Sequence, residues 1–196
     1  MTLGLRRGTV ELLPHQKQWD KAAKDTILTL KALLGNVAID IQHIGSTAIH
    51  GIYSKSIIDI AVGVDNLDSI KPYIELLEQN GIMFRNEDVP GQLLFVIGDD
   101  KSNIRTHHIH IVIWNSTAWH NYINFRDYLN AFPEQAKAYE KLKIKLASDF
   151  ADDRQSYTAG KQDLIDAILK QAQTWRDEKS NTQSNKQFTI NKKGLK

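Results

Sequence analysis

The stretch Ser56-Ile-Ile-Asp-Ile-Ala-Val-Gly-Val64 is an almost unbroken run of apolar, mostly β-branched residues carrying a single carboxylate, Asp59. A run of this length and composition reads as a central strand buried on both faces, because a strand with one solvated face alternates polar and apolar positions. The chain must therefore build a sheet with helices packed against it, an α/β (α+β) architecture. A carboxylate inside such a strand is costly unless it is paired or coordinated. Asp59 is thus a candidate site residue, and the ordinary alternative is a salt bridge to a local lysine or a strand-end hydrogen bond.

The flanking patterns fill in the rest. Trp19, Ala23, Ile27, Leu30 and Leu34 recur at helical spacing over 15–34, with Gly35 where a C-cap belongs. Residues 37–44 alternate as a strand before Gly45-Ser-Thr breaks the pattern. Asp68 is expected to cap a helix carrying Ile70, Ile74 and Leu77 and closed by Gly81. Strands are expected near 82–85, 91–98 and 106–114, the last two joined by a hairpin turn at Gly98-Asp-Asp-Lys-Ser-Asn. Helices follow over 117–131, 133–150 with Pro133 in the first turn, and 157–175. One mixed sheet with packed helices and a C-terminal helical segment accommodates this order.

The length of 196 residues suits one domain, expected over 1–176. Five lysines and no acid occur from Lys179 onward, which leaves the preceding residues at a net −3 within a total of +2. Residues 177–196 are accordingly expected to form a basic, disordered tail. A nucleic-acid arm is the less favoured reading of that tail, since only two of its lysines adjoin and Phe188 is its one aromatic. The absence of cysteine excludes disulfides, thiolate metal sites and a Cys nucleophile. The N-terminus lacks the apolar run of a signal peptide, and the longest apolar runs are strand-length, so a cytoplasmic protein without membrane partners is expected.

The chemistry concentrates in His43-Ile-Gly-Ser-Thr-Ala-Ile-His-Gly-Ile-Tyr-Ser-Lys-Ser-Ile-Ile-Asp-Ile60. A strand ends at Gly45, and the next strand presents Asp59. Glycine lets backbone approach a phosphate, while a hydroxyl and free N–H groups at a helical start bind its oxygens. Gly45, Ser46 and Thr47 are therefore candidate phosphate ligands, and Asp59 can hold a divalent metal against the same phosphates. Lys55 can reach a phosphate as a point charge, and a solvated loop lysine is its alternative. His108 and His110 share one face of their strand while His107 takes the other. Two imidazoles at this spacing can share a metal, or bond a phosphate, or simply be satisfied within the sheet. His43 can line the same pocket, whereas His50 and Tyr53 stand in the loop without further support. Arg126 and Asp127 adjoin on a helix and are not expected to face each other. The four tryptophans read as core packing.

Gly-Ser, a gap of about a dozen residues and a strand acid resembles the signature of polymerase-β-like nucleotidyltransferases. The fuller string, with Gly51, Lys55 and Ile-Ile-Asp-Ile, is similar to the GrpB family in particular. Glu11-Leu-Leu-Pro, Trp19, His108-Ile-His110, Phe125-Arg-Asp-Tyr-Leu, Pro133, Tyr139, Leu142-Lys143, Leu146-Ala147, Tyr157-Thr and Lys161 extend the likeness over roughly residues 10–170. The resemblance implies a nucleotidyltransferase-like fold whose helical lobe holds a triphosphate, with Lys55, Arg126 and Lys161 neutralising charge. It implies a catalytic Asp59 and a metal held by Asp59, His108 and His110: magnesium or manganese, or zinc or nickel through the histidines. Such a protein would transfer a nucleotidyl group to a small acceptor. One departure matters. Nucleotidyltransferases pair the strand acid with a second acid two residues on, and Ala61 stands there. The alternative is a non-catalytic nucleotide- or phospholigand-binding domain that has lost its second metal-binding carboxylate. A small hydrolase using a histidine-bound transition metal is the third reading.

Overall fold

The computed structural model describes residues 3–86 and 90–193. Its strands are β1 (Leu5–Arg6), β2 (Ala38–Ile44), β3 (Ile58–Val64), β4 (Met83–Asn86), β5 (Gln92–Asp99) and β6 (Ile104–Ile113). Its helices are α1 (Lys17–Leu34), α2 (Ile74–Gln79), α3 (Thr117–Ala131), α4 (Pro133–Asp149), α5 (Arg154–Ala159) and α6 (Gln162–Lys193). The sheet runs β2-β3-β6-β5-β4, with β1 pairing the start of β6. Among the described residues only β3 and β6 run parallel; the other pairs are antiparallel. The mixed α/β architecture read from the sequence is the one observed.

The alternation of β3 divides the sheet into two unlike faces. Ile58, Ile60, Val62 and Val64 join Ile41, Phe95, Ile109 and Ile111 on one face and pack against Trp19, Ala23, Leu30 and Leu34 of α1. Burying each such side chain stabilises by about 1.5–3 kcal/mol, so this face is the main source of cohesion. The other face carries Asp59 and Ala61 beside His108 and His110, and only part of it is sealed. There Ile44, Ala61 and Val112 pack with Trp119 of α3. A third cluster joins Ile49 and Ile52 of the β2–β3 loop to Tyr128, Leu129, Ala136, Tyr139, Ile168 and Ala172 of the helical half. That loop is therefore wedged between sheet and helices, which is what positions the site.

Several expectations are corrected. Leu5–Arg6 forms a strand because β6 extends past the end of β3 and leaves an edge, onto which the N-terminal segment adds Leu5↔Arg105. The cap before α2 is Asn66, whose side chain accepts from the Asp68 N–H, and a 3-10 stretch over Leu67–Tyr73 precedes the helix. The helix expected over 157–175 is two helices, with Asp153 capping α5 through the Ser156 N–H. The backbone remains helical past residue 176 as far as Lys193, helped by i,i+4 pairs such as Gln173 to Asp177 and Lys179 over Trp175. Residues 194–196 of the expected tail lie outside the described residues. Trp19 and Trp119 are core residues, but Trp114 is 44 % exposed, lying over Gly63. Among the described residues no helix is long and apolar enough to cross a membrane.

Candidate metal and phosphate site

The parallel register of β3 and β6 sets Asp59 beside His108 and Ala61 beside His110. Side chains one strand apart and two residues along share a face, so the pairing alone brings one carboxylate and two imidazoles together. His108 Nδ1 lies 3.1 Å from Asp59 Oδ1, and His110 Nε2 lies 4.0 Å from the same oxygen. One ligand atom from each falls within 4.8 Å of the others. Asp59 keeps 26 % of its side-chain surface, so the group is reachable.

The surroundings fix the protonation pattern. Burial alone would raise the Asp59 pKa. The His108 hydrogen bond and the nearby His110 and Lys55 outweigh it and hold the carboxyl below its usual range. His110 falls to about 4, chiefly through burial, against the opposing pull of Asp59, and is neutral near pH 7. The Tyr122 hydroxyl donates to Gln92 Oε1 at 2.8 Å and lies 3.3 Å from His110 Nδ1. With its proton committed to Gln92, that hydroxyl accepts from Nδ1–H, and the lone pair of Nε2 is left facing Asp59. Ligand histidines in metal sites are oriented in this way. Two imidazoles and a carboxylate form a donor set suited to zinc, manganese or nickel more than to magnesium. The residues present therefore fit a divalent ion.

The Gly45 turn abuts this group. Gly45 has φ 69 and ψ −170, and a side chain there would collide with the Asp59 carboxylate. Both constraints demand glycine. The 3-10 turn Ser46–Ala48 follows, so the amides of Ser46 and Thr47 stand at its open start. The Thr47 hydroxyl is turned inward, fully buried, 3.0 Å from His43 Nε2 and 3.5 Å from the Ile57 carbonyl. What Thr47 can offer a phosphate is its amide alone. His43 sits on the α1 side with its pKa lowered to about 4, mostly by burial.

Lys55 and Lys161 flank one ring: their ammonium groups lie 5.3 and 4.4 Å from the centroid of Tyr157. Each is lowered to about 8, first by burial and next by a neighbouring cation, Arg154 for Lys55 and Lys55 for Lys161. Asp59 opposes both shifts, which ties the lysines electrostatically to the acid. Sequence reasoning missed the roles of Glu140 and Lys143. Glu140 accepts from the Tyr53 N–H at 2.6 Å, and Lys143 donates to the Tyr53 carbonyl. Three residues apart on α4, they grip both polar groups of one loop residue and thereby set Lys55. Lys143 entered the sequence reading only through the family resemblance at Leu142-Lys143, and the spacing of an acid and a lysine three apart on one helix was the further signal.

Arg126 is placed differently from expectation. Its guanidinium donates to Gln42 Oε1, the His43 carbonyl and Asp127 Oδ1 at 2.8–2.9 Å, bracing α3 against the end of β2. Asp127 in turn accepts from Arg176 at 2.6 Å. Neighbours on a helix do meet here, because the long arginine folds back while both reach for β2 and α6. With its donors engaged, Arg126 supports the turn and does not point a free charge at the cleft.

Fold and site together define an α/β protein with a carboxylate–histidine cluster and a lysine pair beside a glycine–serine turn. The family profile described as "GrpB protein" matches residues 9–171, and the chain belongs to that family. The Glutamate-rich protein GrpB of Alkalihalophilus pseudofirmus is 37% identical over 172 residues, covering 86% of this chain and 99% of that protein. The UPF0157 protein YqkA of Bacillus subtilis is 32% identical over 173 residues, 88% of this chain but 50% of its own length. The crystal structure of the conserved protein GrpB from Enterococcus faecalis superposes with a TM-score of 0.77 at 28% identity, covering 84% of this chain and 99% of that one.

Proposed function

We propose that this GrpB protein is a metal-dependent, nucleotidyltransferase-like protein that transfers a nucleotidyl group to a small acceptor. The supporting observation is the convergence of Asp59, His108 and His110 on one face, next to Gly45 and Ser46 and electrostatically coupled to Lys55 and Lys161. In this reading Asp59, His108 and His110 hold a divalent ion, which supplies positive charge at a phosphate oxygen. The amides of Ser46 and Thr47 bind a phosphate, and Gly45 lets it approach. Lys55 and Lys161 neutralise the remaining charge, and Asp59 is the residue on which catalysis depends. Arg126 holds the turn in place.

One observation favours a second reading, a nucleotide- or phospholigand-binding domain without turnover. Ala61 is fully buried under Trp119, so the usual place of a second acid is closed. The deciding experiment has two arms. Thermal shifts over a panel of nucleotides with magnesium, manganese, zinc and nickel should show stabilisation by about 2.7 kcal/mol at 100 times the dissociation constant. Mass spectrometry of the same mixtures should show nucleotide-derived product that vanishes in Asp59→Asn. Binding without product supports the second reading. No binding of any nucleotide with any ion, or turnover unchanged in Asp59→Asn, would overturn the proposal.

A further inference from the structure

We infer that His15, Asp20 and His50 form a second divalent-cation site, of the zinc class, that ties the start of α1 to the loop following the Gly45-Ser46 turn. The three share no residue with the Asp59 cluster, and one ligand atom from each lies within 4.8 Å of the others. Their rings are edge-on: the imidazoles of His15 and His50 have centroids 5.4 Å apart and planes inclined by 62°. The two imidazoles are therefore not stacked face to face, and the contact leaves their ring edges close together.

Two further observations point to a ligand. First, His15 Nδ1 is buried and has no hydrogen-bond partner among the described residues. A buried imidazole nitrogen left unpaired is costly, and a bound cation would give this part of the ring a partner. Second, His50 is held as metal ligands are held. Asn130 donates through Nδ2 to the carbonyls of Ala48 and Arg126, which fixes Oδ1 as an acceptor. That oxygen lies 3.0 Å from both the backbone N and Nδ1 of His50. The His50 proton is therefore on Nδ1, and Nε2 carries the free electron pair. Asp20, with 48 % of its side chain exposed, supplies the anionic ligand and leaves room for water to complete the coordination.

Two histidines and one carboxylate select a zinc-like ion over magnesium or calcium, which prefer all-oxygen shells. The consequence is mechanical. Leu13 and Ser54 already exchange two backbone hydrogen bonds of 2.9 Å between the same two segments. The ion adds a second tie across them, at the residue next to Gly51, and holds the loop that delivers Lys55.

The test uses the full chain, stripped with a chelator and titrated with zinc against a chromophoric competitor. Asp59→Asn disables the first cluster, and one zinc equivalent should remain. Adding His50→Gln or Asp20→Asn, both at exposed positions, should weaken that equivalent by at least about tenfold, since losing even a supporting group of a metal site costs that much. Circular dichroism confirms that each variant is folded. Loss of all zinc binding in Asp59→Asn alone overturns the inference. So does zinc affinity unchanged in both double variants.

Discussion

The Asp59 carboxylate rests against the Cα of Gly45, leaving no room for a methyl group between the β2 turn and the β3 acid. Gly45 also adopts φ 69 with ψ −170, a region that is essentially reserved for glycine. In Gly45→Ala the backbone strain and the overlap add, and we expect a loss of about 2–4 kcal/mol. Because the overlap falls on Asp59, metal affinity should drop with stability. Urea denaturation with and without manganese or zinc measures both. An alanine variant within 0.5 kcal/mol of wild type would show that the close approach is not real.

Ala61 explains why restoring a second acid is not a simple repair. It packs fully buried among Ile44, Val112 and Trp119. A carboxylate introduced there would be buried beside the neutral His110 and two residues along the same face from Asp59, so Ala61→Asp should cost on the order of 3 kcal/mol at pH 7. The new group should titrate well above the usual carboxylate range, so the deficit should shrink on acidification toward pH 5. Equal stability of variant and wild type at pH 7 contradicts this.

The strand Ile58–Val64, the face shared by His108 and His110 and the order of the main elements were all legible in the sequence, because each follows from a period of two or 3.6 residues. What escaped depends on partners distant in sequence. Nothing local to Arg126 tells that its guanidinium turns to Gln42 and the His43 carbonyl, 84 and 83 residues away. The inward rotation of the Thr47 hydroxyl likewise needs His43, which only the turn brings close. The grip of Glu140 and Lys143 on Tyr53 spans 87 and 90 residues. Strand pattern reveals a face; it does not reveal which loop residue a helix will hold.

The buried histidines set the acid limit of the fold. His43 and His107 are each lowered to about 4, burial being the largest cause. His107 is enclosed between the hydroxyls of Thr26 and Thr106. A group whose folded pKa lies below its unfolded value of about 6.5 binds protons preferentially in the unfolded chain. Its stabilisation is therefore full above pH 6.5 and lost as the pH falls through 4. Each histidine contributes up to about 3 kcal/mol to this loss. Melting temperatures of metal-free protein should fall steeply between pH 6.5 and 4. His107→Gln should flatten the slope, although it lowers stability at neutral pH. A profile unchanged by that substitution would contradict the assignment.

The lysines give the opposite limit and a direct reading of the phosphate site. Lys55 and Lys161 share the Tyr157 ring and are lowered to about 8, by burial first and then by Arg154 for Lys55 and by Lys55 for Lys161. Lys143, fully buried against Tyr139, is lowered to about 7, again chiefly by burial. Between these values and the usual 10.5 the unfolded chain binds more protons, so stability should rise with pH from about 7 toward 10. A polyanion seated between Lys55 and Lys161 relieves their repulsion and favours their charged forms. Tripolyphosphate should therefore stabilise the protein most at pH 7, and its effect should fade as the pH passes 9. Lys161→Met should remove most of that stabilisation while raising the stability of the ligand-free protein, since one buried like charge is gone. Differential scanning fluorimetry at constant ionic strength, with sulfate as the control for general salt effects, separates these outcomes. If tripolyphosphate stabilised Lys161→Met as strongly as wild type, the lysine pair would not be where phosphate binds, and Asp59 would have to be paired with a different source of positive charge.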